Sequence, residues 1–385
     1  MAPTASRFSL DTNSGIIAGN RFPWCAVRIA LASVVFASPL ALSAQTAAAP
    51  PPSTASSKSL YTLVELPGLA AGNLAVARAM NASGQLVGRS GGVNGSDTRA
   101  VLWTSGLAEN LGTLPGGDYS AAFGINRRGD VVGTSNTATT VRAFVWSRGS
   151  GIRDLGALPG DVGSEAFDIN TVGEIVGSSS GPRGIHAALW DRAGRIEDLG
   201  VLPGGDYAKA VKINDAGQVI GVSNGASGTH AFFWTREDGM RDLGTLPGFT
   251  RSEAVDINQL GQVVGHATGP AGMRAFLWTP EGGMRDLGAF AGGADSKALG
   301  IDDSGRVVGA AMGAAGLAAF VWTPQGGLQD LNRSIPPVDV GLVLSEGQGI
   351  GELGQILVLT GGGDHAPAAD HTDEEHLFRA FLLTP

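Results

Sequence analysis

Half of the six histidines in this 385-residue chain fall within twelve residues near the C-terminus, at His365, His371 and His376. Asp364, Asp370, Asp373, Glu374 and Glu375 interleave with them. Imidazole and carboxylate together bind divalent ions such as Zn2+. His365, His371, His376 and Asp370 are therefore the candidate metal ligands, and a divalent ion is the one cofactor the chain suggests. No H-E-x-x-H and no cysteine pair fixes a geometry, and Gly, Ala and Pro punctuate the 361–376 loop. The stronger expectation is a solvated acidic loop and no cofactor.

A second set of candidate residues recurs. The stretch L-P-G-G-D-Y places Asp118 beside Tyr119 and, 88 positions on, Asp206 beside Tyr207. Asp161, Phe249, Arg251 and Asp295 are partial counterparts, and these loops carry two of the three tyrosines in the chain. Aromatic and acidic side chains on Gly-rich loops can stack on and hydrogen-bond a sugar, or anchor a protein. The plainer alternative is that Gly-Gly-Asp makes a turn and the tyrosine packs locally.

A third set is Glu165 and Glu253, at equivalent positions, with Lys209 and Lys297 in the same pattern. That pairing keeps a hydrolase or lyase in play. Against it, the chain has no P-loop and no S-x-D-x-G-x-T-W box. No catalytic residue is assigned. The D-x-D-x-D-G spacing of a calcium loop is also missing.

What positions these residues is a repeat. Six segments carry A-x-x-I-N-x-x-G-x-V-V-G, then A-F-x-W, then D-L-G-x-L-P-G. Asn81, Asn126, Asn170, Asn214 and Asn258 hold one slot, with Asp302 in the sixth segment. Trp103, Trp146, Trp190, Trp234, Trp278 and Trp322 hold another, and four successive spacings are 44 in both series. Each repeat divides into four short strands. In the fourth, Val211–Ile213 leads through a turn at Asn214–Gly217 into Gln218–Gly221, followed by His230–Trp234 and Arg241–Leu246.

Four strands in 44 residues is the period of a β-propeller blade. Small residues on the first strand (Ala121, Ala122, Ala210, Ala254, Ala298) suit an inner strand beside a channel, and Trp and Phe on the third suit the space between blades. The ends complement each other. Residues 349–359 and 379–383 match three strands of a seventh repeat, with Leu383 in the tryptophan slot, while Tyr61–Leu66 resembles a fourth strand alone. The sequence thus predicts an all-β, seven-bladed propeller over 60–385, its last blade closed by the N-terminal strand. A β-solenoid is the alternative, but it needs caps rather than complementary ends.

Composition agrees. Gly (60) and Pro (19) form about a fifth of the chain, which disfavours long helices, while a mean hydropathy of +0.11 excludes disorder. Arg7, Arg21 and Arg28 precede an apolar run from Ile29 to Ala44 ending in small residues, as in a secretory signal. That run has 16 residues and contains Pro39, short of the roughly 20 that span a bilayer. Residues 1–44 are thus read as a signal peptide and 45–59 as an Ala/Pro/Ser-rich linker. The one cysteine, Cys25, precedes the apolar run, so the mature chain relies on packing rather than disulfides. Its net charge, about −11 after cleavage, argues against nucleic acid as a partner.

The blocks HAFFW (His230–Trp234), HAALW (His186–Trp190) and RAFLW (Arg274–Trp278), with DLGTLPG (Asp242–Gly248), resemble the HAF repeat family of bacterial proteins. The resemblance covers about residues 60–385. It implies export and a repeat array, and it supplies no enzymatic residue. Only His230-Ala231-Phe232 keeps the triplet intact, because Arg or Ala replaces either His or Phe elsewhere. The expectation is an exported, periplasmic or extracellular, monomeric protein that is not inserted in the membrane after signal cleavage. It would bind a protein or carbohydrate through propeller loops. A secreted enzyme working at the channel mouth and a purely structural envelope component are the alternatives.

Overall fold

A computed structural model describes residues 61–70, 73–92, 97–335, 343–361 and 379–385. All belong to one compact unit, Ser57–Pro385. They form seven four-stranded antiparallel sheets, and the single helical turn among the described residues is Leu331–Arg333. No helix among them is long and apolar enough to cross a membrane.

Blade 4 shows why the repeat folds as it does. Its strands, a to d from the inside outward, are Ala208–Ile213, Val219–Gly225, Gly228–Thr235 and Gly239–Asp242. The a–b hairpin turns because Asn214 Oδ1 accepts from the backbone N–H groups of Ala216 (3.1 Å) and Gln218 (3.0 Å). Gly217 supplies the positive φ of +74° that the turn demands. The V-I-G of strand b is equally constrained. A Cβ on Gly221 would lie 1.9 Å from the Lys209 carbonyl oxygen and 2.7 Å from the Phe232 ring. Strand a and the strand-c phenylalanine close over that glycine from opposite sides.

The a strands of successive blades are Leu74–Met80, Ser120–Ile125, Gly163–Ile169, Ala208–Ile213, Arg251–Ile257, Ser296–Ile301 and Val343–Ile350. Each touches the next, and the seventh touches the first, so the ring closes around a channel. A solenoid would have no such closure. Between blades the core is continuous: Phe232 and Trp234 pack with Ala208 and Ala210 against Ala187 and Leu189 of blade 3. Side-chain hydrogen bonds lock the same seam. Ser252 Oγ donates to the Gly244 carbonyl and accepts from the Ala231 N–H at 2.9 Å, and Ser120, Ser164 and Ser296 repeat the pattern.

Blade 7 combines Val343–Ile350, Ile356–Gly361 and Arg379–Thr384 with Thr62–Glu65 as its outer strand. Leu383 faces Ile356 as Trp278 faces Val263, which confirms its place in the tryptophan slot. Glu65 faces Phe381 as Asp242 faces Phe232. Arg379 grips Glu65 with Nε (2.7 Å) and a second guanidinium nitrogen.

The structure differs from the sequence expectation at the outer strands. The strand expected over Arg241–Leu246 ends at Asp242. Asp242 Oδ1 accepts from the Gly244 N–H at 2.7 Å, and Gly244 turns the chain at φ +68°. The capping aspartate of D-L-G stops the ladder four residues early.

Candidate functional site

The two ends of the channel are built differently. At one end, the turn face, lie the a–b and c–d hairpins. The repeated asparagine does more there than cap its own turn. Asn81 Nδ2 donates to the Asn126 carbonyl (3.0 Å), Asn126 to Asn170 (3.3 Å) and Asn170 to Asn214 (3.3 Å). Asn214 continues to Asn258 (3.1 Å) and Asn258 to Asp302 (3.0 Å). A parallel chain runs from the Thr171 N–H to Asp215, from the Asp215 N–H to Gln259 and from the Gln259 N–H to Asp303. Arg127 of blade 2 pairs with Glu352 of blade 7 at 2.5 Å. A groove of about 410 Å3 near the Glu174 turn has its ions paired, Arg236 with Glu197 (2.7 Å) and Arg195 with Asp191 (2.6 Å).

The other end, the loop face, carries the d–a and b–c loops and the candidate binding residues. Asp118 and Asp206 serve the loops themselves. Asn224 Oδ1 accepts from the N–H groups of Asp206 (3.0 Å) and Tyr207 (2.9 Å), and its Nδ2 donates to Asp206 Oδ1 (2.7 Å). Asn136 makes the same clamp on Asp118 and Tyr119. Asp161 Oδ2 accepts from Ser179 Oγ at 2.8 Å. Phe249 packs half-buried on the core between blades 4 and 5.

Tyr207 and Arg251 are placed differently. The Tyr207 phenol lies within electrostatic reach of Glu253, Glu165 and Arg251. Burial raises its pKa, the two carboxylates raise it further, and Arg251 opposes them. Arg251 is exposed at the start of its strand.

Beneath these loops runs a ring of charge on the a strands. Glu165, Lys209, Glu253 and Lys297 each stand opposite the residue that follows the V-V-G glycine. Glu346 of blade 7 extends the alternation to five blades. The pairing is uneven. Lys209 Nζ meets Glu165 at 3.1 Å, and Lys297 Nζ meets Glu346 at 2.6 Å. Glu253 is left without a lysine, and its nearest basic neighbour is His266 Nε2 at 3.8 Å.

His266 is buried, and burial, aided by the Lys297 charge, depresses its pKa to about 4. The ring is neutral at pH 7, and its Nδ1 has no hydrogen-bond partner. Burial also raises the Glu253 carboxyl, with Arg251 working against it. The sequence reading passed over His266. Its signal was the slot after V-V-G, which holds Thr134, Ser178, Val222 and Ala310 in other blades but His266 and Arg89 in two.

Deeper in the channel, Lys212 Nζ lies 3.5 Å from Asp168. Asp168 and Asp256 each accept the N–H of an isoleucine in the next blade, Ile213 (3.1 Å) and Ile301 (3.0 Å). These carboxyls join blades, and burial pushes Asp256 up to about 6.

The candidate metal ligands His365, Asp370, His371 and His376 lie outside the described residues, as do the signal peptide and linker. Among the described residues no group of three or more His, Cys, Asp or Glu could hold a metal ion.

No protein-family model matches the chain, and no curated protein aligns with it. Solved structures do resemble it. A puromycin hydrolase mutant complexed with PGG matches with a TM-score of 0.51 and 15% identity over 79% of this chain. The chain spans only 55% of that hydrolase. The propeller domain of the Trilobed protease from Pyrococcus furiosus, described as having an open velcro topology, matches at 0.50 with 9% identity. That match covers 80% of this chain and 92% of that one. Oligogalacturonate lyase in complex with manganese matches at 0.50 and 9% identity, covering 84% and 96%. At such identities the likeness carries fold and not function: this chain has the β-propeller fold.

Proposed function

We propose that this is an exported, non-enzymatic propeller that binds a glycan at the loop-face mouth of its channel. The observation that carries the reading is the Tyr207 phenol, half-exposed among Glu165, Glu253 and Arg251. An aromatic face beside groups that donate and accept hydrogen bonds suits a sugar ring. Export is supported by Arg7, Arg21 and Arg28 before the Ile29–Ala44 run and by the lack of cysteine after Cys25.

Glycan-array binding by the full chain and by Tyr207→Ala tests this. The substitution should weaken retention about tenfold, in keeping with loss of one aromatic contact, and leave the fold intact. Equal retention by the variant, or capture of a protein partner and no glycan, contradicts it.

A second reading, a hydrolase or lyase at the same mouth, rests on one pair. His266 is neutral and 3.8 Å from Glu253, whose carboxyl is held above its ordinary value. A neutral imidazole beside a carboxyl whose pKa burial raises is an acid–base arrangement. Turnover of any array glycan that vanishes in Glu253→Gln would favour this reading over simple binding.

A further inference from the structure

Each a strand carries a bulge one residue past its small residue, as between Ala122 and Gly124 or between Ala77 and Ala79. The extra residue is unpaired and its side chain is re-aimed. On the innermost strand of a blade, that residue meets its neighbours at the inner edge of the ring, as Phe123 meets Phe167 and Val211 meets the core between blades 4 and 5. In five consecutive blades the bulged residue is apolar: Phe123, Phe167, Val211, Val255 and Leu299. In blade 1 it is Arg78, and in blade 7, which closes the ring beside it, Gln348.

Arg78 is a guanidinium in an apolar belt, and its Nε is buried with no hydrogen-bond partner. The carboxylate that acts on it, Glu346, is already engaged. Glu346 Oε1 accepts from Lys297 Nζ and Oε2 from Gln348 Nε2, both at 2.6 Å. The positive charge of Arg89 on the adjoining strand adds repulsion. A half-buried guanidinium without a bonded anion is unfavourable, and its fork of donors matches a carboxylate. In the two blades that follow, Phe123 and Phe167 are in contact, their centroids 5.7 Å apart and their planes tilted by 57°; Phe167 is buried with Lys209 Nζ 5.6 Å over its ring, and Phe123 keeps partial exposure.

We infer that the inner edge of the ring at blades 1 and 2 binds a small organic carboxylate with an apolar ring, its carboxylate on Arg78 and its ring against Phe123. This site lies below the mouth assigned to glycan. It uses other residues, so either assignment can fail while the other stands.

Ligand-detected NMR titration of the full chain with benzoate, benzamide and acetate tests the inference. Benzoate should bind at one site. Benzamide, acetate and the Arg78→Gln variant with benzoate should each bind about tenfold more weakly or worse, the effect of losing one charge-assisted contact or the ring. Arg78→Leu, which gives blade 1 the apolar residue type of blades 2 to 6, should melt higher than the parent without ligand and bind no benzoate. The inference is overturned if benzoate does not bind the parent, if Arg78→Gln binds it equally, or if acetate binds as well as benzoate.

Discussion

The turn face and the loop face of this propeller are made from the same repeat and use it in opposite ways. On the turn face the asparagine slot is kept in five blades, and each asparagine both caps its hairpin and holds the next blade. Changing it would break two kinds of bond at once. On the loop face the corresponding inner-strand slot alternates in sign, Glu165, Lys209, Glu253 and Lys297, and the pairing strands Glu253 beside neutral His266. Glu253, which no neighbouring blade pairs, is free to vary. That freedom makes the loop face, rather than the turn face, the place we propose for binding.

The contrast can be broken most severely by opening the ring that both faces share. Deletion of Tyr61–Leu66 removes the outer strand of blade 7 and with it the Arg379–Glu65 grip. Unfolding followed by circular dichroism should lose its single cooperative transition. Local fraying with the main transition preserved would instead point to independent repeats.

Next in size is the interblade core. Trp278→Ala empties a buried site between blades 4 and 5 and should cost about 3–5 kcal/mol in denaturant unfolding.

The loop-face histidine should reveal itself through pH. His266 has a folded pKa of about 4 against 6.5, so between those values the unfolded chain binds more protons. Its contribution to stability is complete above pH 6.5 and is lost as pH falls toward 4. Asp256, raised from 3.8 to about 6, works the other way and loses stability as pH rises through that window. In the parent the two slopes largely offset. His266→Gln should therefore gain on the parent by roughly 3 kcal/mol between pH 6.5 and 4, and a constant difference across that range would contradict the assignment.

A smaller effect is expected from the turn face. Asn214→Ala removes the caps on the Ala216 and Gln218 N–H groups and leaves the Asn258 carbonyl without its donor. A loss of about 2 kcal/mol is expected from thermal or denaturant melts. Tyr207→Ala on the loop face should shift stability least, by under about 1 kcal/mol.

Much of the architecture was legible because it is repeated. The tryptophan slot, the Asn-x-x-Gly hairpins and the complementary ends each pointed to a blade, and Leu383 sits where the register required. The candidate site was legible only in part. Tyr207 feels the charges of Arg251, Glu165 and Glu253. Asp206, taken from its residue type as a ligand group, is held by Asn224, which stands 18 residues later and reaches it only once strands a and b are paired. His266 and Arg78 were missed for the opposite reason. Each departs from the repeat at a single slot, and a reading built on what recurs passes over what does not.

The claim that function sits at the loop face and scaffold at the turn face is tested most directly by one binding comparison. The parent, Tyr119→Ala/Tyr207→Ala and Arg127→Ala would be applied to the same glycan array, each with its melting temperature recorded. The account predicts that the double tyrosine variant loses retention with its melting temperature nearly unchanged, while Arg127→Ala, cut from Glu352 on the turn face, binds as the parent does. Retention kept by the tyrosine variant and lost by Arg127→Ala would contradict it.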